Sequence, residues 1–131
     1  MIAIVDDDAS IREALKSLMR SIRLDAEAFS SAEEFLASER SHDTACLILD
    51  VTLPGISGFE LQNLLNREKR GIPIVFITAH ADDASRKRAI DGGAMDFLSK
   101  PVRREPLFKA IQLAIDSRSN RSIGQHVDDL P

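Results

Sequence analysis

The feature that most constrains this chain is an alternation sustained along most of its length. Five short apolar runs are each followed by a stretch patterned as an amphipathic helix. The runs are Ile2–Val5, Ala26–Phe29, Cys46–Leu49, Ile74–Ile77 and Met95–Leu98. The first, third and fourth are apolar at every position, as a strand requires when helices cover both of its faces. The second and fifth alternate with acidic residues and predict edge strands. Ile11, Leu15, Leu18 and Ile22 form one stripe at helical spacing. Ser31 with Glu34, and Ser57 with Glu60, each fit a capping box that opens a helix. A helix after Asp82 would end near Asp91, where Gly92 and Gly93 supply the stop. The last helix carries Leu107, Ile111, Ala114 and Ile115, with Pro106 tolerated in its first turn. Strict β-α alternation predicts an α/β fold: a doubly wound, five-stranded parallel sheet with right-handed crossovers and helices on both faces.

The residues just beyond the strands narrow the chemistry. The first run leads into Asp6, Asp7 and Asp8, the third into Asp50, the fourth into Thr78 and the fifth into Ser99-Lys100-Pro101. In an open parallel sheet, ligands bind beyond the carboxyl ends of the strands. Read singly, each residue has an ordinary explanation: a turn at Asp50, helix capping at Asp6 to Asp8, a strand end at Thr78, a solvated loop at Lys100. Four segments bringing acids, a hydroxyl and an ammonium to one edge are harder to dismiss. Two carboxylates ~4 Å apart repel by ~4 kcal/mol at an effective dielectric of ~20, so a cluster of Asp6, Asp7 and Asp50 calls for a cation or for raised pKa values. Oxygen-only ligands favour Mg²⁺ or a similar hard cation. Thr78 and Lys100 suit phosphoryl oxygens, and a carboxylate can itself attack phosphorus. The chemistry these residues predict is phosphoryl transfer onto aspartate.

Ile4-Val5-Asp6-Asp7-Asp8, Leu49-Asp50 with Leu53-Pro54-Gly55 and Gly58, Thr78-Ala79 and Phe97-Leu98-Ser99-Lys100-Pro101 together resemble the receiver domain of two-component response regulators, over residues 2 to about 116. The resemblance implies a flavodoxin-like strand order, 2-1-3-4-5. It implies Asp50 as phosphoacceptor, with Mg²⁺ held by Asp7 directly, by Asp6 through water, by Asp50 and by the Thr52 backbone carbonyl. Lys100 would contact the phosphoryl group across a cis bond to Pro101. Thr78 would be the switch hydroxyl, Phe97 the aromatic whose rotamer follows it, and Ala79 the small residue that leaves the site open. Thr52 and His80 would tune the lifetime of the phosphorylated state. The implied partners are a histidine kinase and a phosphorylation-dependent dimer or output domain. That partner would meet the face of the fourth helix, fifth strand and fifth helix, which bears Arg86, Lys87, Arg88, Arg103 and Arg104.

The alternative class is an aspartyl-phosphate hydrolase, which resembles an Asp-x-Asp pattern with a second acid two residues on. Here that position is Thr52. A scaffold that keeps only the fold is disfavoured by the complete acid, threonine and lysine set. His42 and His126 lie in polar segments, and Cys46 reads as a small buried apolar residue. The lone cysteine excludes an internal disulfide, and the early aspartates leave no signal peptide or membrane span, so a cytoplasmic location is expected. Seventeen basic residues against twenty-one acidic ones, with no Trp or Tyr, argue against direct nucleic-acid binding. Residues 1–116 are expected to form the receiver unit and 117–131 a polar linker or tail, although Ile123, Val127 and Leu130 keep a helical spacing. The tail, and Phe29-Ser30-Ser31-Ala32-Glu33-Glu34-Phe35-Leu36, resemble regulators in which a linker leads to a helix-turn-helix DNA-binding domain. A truncated chain and a transcriptional output are the corresponding expectations.

Overall fold

The computed structural model describes the backbone of residues 1–128 and the side chains of residues 1–117. The elements alternate throughout: β1 Ile2–Val5, α1 Ala9–Ser21, β2 Ala26–Phe29, α2 Ala32–Ala37, a 3-10 helix Glu39–Asp43, β3 Cys46–Asp50, α3 Gly58–Arg67, β4 Ile74–Thr78, α4 Asp83–Asp91, β5 Asp96–Ser99 and α5 Arg104–Asp128. The five strands form one sheet in the order 2-1-3-4-5, and every neighbouring pair is parallel.

Side chains on a strand alternate between faces, so each strand feeds two cores. Ala3, Val5, Leu47, Leu49 and Phe76 pack against Phe35 of α2, Phe59, Leu61 and Leu65 of α3 and Ala89 of α4. Ile2, Ile4, Ile48, Val75 and Ile77 pack against Leu15 and Met19 of α1 and Leu107, Ala110, Ile111 and Ala114 of α5. The central strands are buried at every position, which is why they read as unbroken apolar runs.

Local signals place the helix starts. Asp8 caps α1 by accepting from Ser10 and Ile11 N–H, Ser31 caps α2, Ser57 caps α3 and Asp82 caps α4. The box at α2 closes differently from its sequence pattern: Glu34 reaches back to the hydroxyl of Ser30 at 2.6 Å rather than to Ser31. The 3-10 helix carries no apolar periodicity, so it left no sign in the sequence pattern. The composition change at Ser117 does not end α5. No proline follows it before Asp128, and the isolated Gly124 is tolerated within the helix. Asp129, Leu130 and Pro131, and with Leu130 the last member of the tail's apolar spacing, lie outside the described residues. No helix among the described residues is long and apolar enough to cross a membrane.

Candidate functional site

In the order 2-1-3, the chain leaves β1 toward one side for β2 and returns on the other side for β3. The crevice beyond the carboxyl ends of β1 and β3 is therefore the switch point of the sheet. Val5 pairs with Leu49 in the register, so Asp6 and Asp50 are neighbours one step further on. Asp7 comes next, in the turn to α1. Carboxylate oxygens of Asp6, Asp7 and Asp50 lie within 4.8 Å of one another, Asp6 and Asp50 buried and Asp7 exposed. His80, on the exposed loop after β4, is not part of this group.

Lys100 closes the cluster from the far side. Its Nζ donates to Asp50 Oδ2 at 3.1 Å and lies 2.8 Å from Asp6 Oδ2, an ion-pair contact. The Lys100–Pro101 bond is cis. Burial raises the Asp50 pKa, the hydrogen bond from Lys100 opposes that rise, and the Asp6 charge adds to it. For Lys100, burial works against the charge, but its contacts with Asp6 and Asp50 outweigh burial and hold its pKa up. The cluster is thus a carboxylate pair with one ammonium between its members and a third carboxylate open to solvent.

The backbone around Asp50 is held tightly. Thr52 N–H donates to Asp50 Oδ1 at 3.1 Å, and α3 begins immediately against the strand. A Cβ on Gly58 would overlap the Asp50 carbonyl oxygen and lie 2.9 Å from Val51 Cα. Only glycine allows that approach. Thr78 ends β4 buried, and its Oγ1 accepts from His80 N–H at 3.1 Å. Phe97 lies one strand over in the register. Its ring is already inside, 1% exposed, 6.4 Å from the Phe76 ring and under the guanidinium of Arg86 at 5.3 Å. A rotamer change would therefore start from a buried ring.

Asp6, Asp7, Asp50 and Lys100 are brought into one cluster, and Thr78 stands at the end of the adjoining strand. Thr52 meets the cluster through its N–H, while Ala79 and His80 are exposed in the loop that follows β4. Arg12 was missed by sequence reasoning. Its Nη1 donates to the Asp6 carbonyl oxygen at 2.8 Å. The signal was available: an arginine in the opening turn of α1 sits at the positive end of the helix dipole, a misplacement that calls for a local acceptor.

The pattern of the family described as the response regulator receiver domain matches residues 2–112. Nodulation protein W of Bradyrhizobium diazoefficiens is 45% identical over 125 residues, covering 95% of this chain and 55% of the relative. The response regulator protein TodT of Pseudomonas putida is 44% identical over 131 residues, covering 99% and 58%. The chain thus spans about half the length of the curated relatives it matches. Among solved structures, the response regulator StyR superposes with a TM-score of 0.86 at 41% identity, over 98% of this chain and 65% of that one.

Proposed function

The chain belongs to the response regulator receiver family, and on that premise we propose that it is the phosphoacceptor module of a two-component signalling protein. Asp50 accepts a phosphoryl group from a histidine kinase, and the change switches an output that regulates transcription. The observation that carries this reading is the Lys100 ammonium held between Asp6 Oδ2 and Asp50 Oδ2, poised to meet a phosphoryl oxygen on Asp50. The product is a conformational state of the protein rather than a released metabolite.

The three-carboxylate donor set has no sulfur or imidazole and suits Mg²⁺. Asp6, Asp7, Asp50 and the Thr52 carbonyl would hold the ion, which neutralises charge and orients phosphoryl oxygens when bound. In the transfer, an Asp50 carboxylate oxygen forms the new P–O bond as the P–N bond to the donor's histidine breaks, and the imidazole leaves with the electron pair. A hydroxyl can donate one hydrogen bond while it accepts others, so Thr78 can donate to a phosphoryl oxygen without releasing His80 N–H. Thr78 and Phe97 then pass the change toward the face formed by α4, β5 and α5, where a partner or second copy binds. Thr52 and His80 set how readily water reaches the acyl phosphate. Residues 1–116 form the receiver unit and 117–131 the connection to the output, in a cytoplasmic protein. The hydrolase reading lacks its second acid, because the residue two beyond Asp50 is Thr52.

Incubation with Mg²⁺ and acetyl phosphate should add one phosphoryl group that is labile to base and to hydroxylamine. Asp50→Asn should abolish it, since an amide does not attack phosphorus. Stoichiometric labelling of Asp50→Asn, read by intact mass, overturns the assignment.

A further inference from the structure

We propose that Arg12 is a positioning residue for the cation site: by fixing the Asp6–Asp7 peptide it aims the Asp7 carboxylate. The inference rests on the reading that Asp6, Asp7 and Asp50 hold a hard divalent cation.

Asp6 is fully buried, and each of its four polar atoms meets a different residue. Its N–H donates to the Phe29 carbonyl of β2 at 3.2 Å. Its Oδ1 accepts from Asp8 N–H at 2.8 Å, and its Oδ2 lies against Lys100. Its carbonyl oxygen lies past Val5, the last paired residue of β1, where the ladders with β2 and β3 have both ended. That carbonyl takes the guanidinium of Arg12 instead.

Asp7 is placed quite differently. Its side chain is exposed, and among the described residues its carboxylate takes no hydrogen bond or ion pair. Its direction is set by the two peptides that flank it. Arg12 fixes the one before, through the Asp6 carbonyl, and the Asp6 carboxylate fixes the one after, through Asp8 N–H. Remove Arg12 and the first of these planes is free to turn, taking Asp7 out of reach of the other two acids.

The effect on cation affinity has a diagnostic sign. A guanidinium that merely stood near the site would repel Mg²⁺, so its removal would tighten binding. A guanidinium that positions a ligand gives the opposite result. A hydrogen bond from a charged donor is stronger than one between neutral groups, and part of its loss would appear as weaker cation binding.

The test is calorimetric Mg²⁺ titration of wild type and Arg12→Met, with the Asp7 amide-nitrogen resonance recorded without metal. That resonance senses hydrogen bonding at the preceding carbonyl. Arg12→Met should bind Mg²⁺ about tenfold more weakly, and the Asp7 resonance should shift. Arg12→Lys keeps the charge and can offer a single donor to the carbonyl, so its affinity should fall between the two. Binding by Arg12→Met that equals or exceeds wild type, or an Asp7 resonance that stays put, overturns the role of Arg12 alone. Absence of Mg²⁺ binding by wild type overturns the cation site together with it.

Discussion

At the scale of single residues, Cys46 illustrates what burial does to a titratable group. It opens β3 fully enclosed, and desolvation pushes its thiol up to about 12 from an ordinary value of 9.0. In the unfolded chain the thiol ionises from pH 9.0 upward, while the folded chain keeps the proton to about pH 12. Between those values the unfolded state binds fewer protons, so stability falls as pH rises and is untouched below the window. The slope contributed is at most about 1.4 kcal/mol per pH unit. Cys46→Ala should cost on the order of 1 kcal/mol at neutral pH, and that cost should shrink as pH rises above 9.0. Denaturant midpoints measured in parallel would show it, and a cost independent of pH refutes it. Cys46 was legible as a small apolar residue because strand position alone decides its burial. Arg12 was legible only as a basic side chain at the positive end of α1; its acceptor, the Asp6 carbonyl, is backbone that no side-chain pattern records.

At the scale of elements, α4 is the least apolar attachment in the fold. Only Ala89 of its nine residues is buried. Polar groups do the rest: Gln62 of α3, itself buried, donates to Ala89 O at 3.0 Å, and Asn66 donates to Gly92 O at 2.9 Å. Arg88 lies over the Phe59 ring at 4.4 Å. Gly92 leaves the space that Gln62 fills, since a Cβ there would stand 2.6 Å from Gln62 Oε1. Gly92→Ala should therefore destabilise by roughly 1–3 kcal/mol through overpacking, although its backbone is helical. In a Gln62→Ala background most of that cost should vanish. A double-mutant cycle on thermal unfolding reads the coupling, and equal costs in both backgrounds would contradict it. The strands were legible because burial on both faces writes itself as an apolar run. Gln62 was not: it stands three residues from both Phe59 and Leu65 on the buried face of α3, but its amide is a residue type that reads as solvated. The site was legible in its acids, Thr78 and Lys100 because each stands at a strand end.

Across the whole molecule, the acidic site sets a balance between stability and charge. Wild type without a cation keeps Asp7 close to Asp6 and Asp50 with one ammonium to answer all three. Asp7→Asn should accordingly raise the melting temperature in chelator. Mg²⁺ at a hundred times its dissociation constant should stabilise wild type by about 2.7 kcal/mol and the variant by much less. Melting curves indifferent to both metal and substitution would exclude a cation site on these carboxylates. Motions between such states need a probe, and the sequence has neither tryptophan nor tyrosine to fluoresce. The arginines stacked on Phe97 and Phe59 supply one of another kind. Ring currents act on protons above an aromatic face, so the side-chain resonances of Arg86 and Arg88 should lie upfield of their ordinary positions. Arg86 then reports separation of α4 from β5, and Arg88 separation of α4 from α3, so that one spectrum distinguishes a helix that swings from a helix that slides.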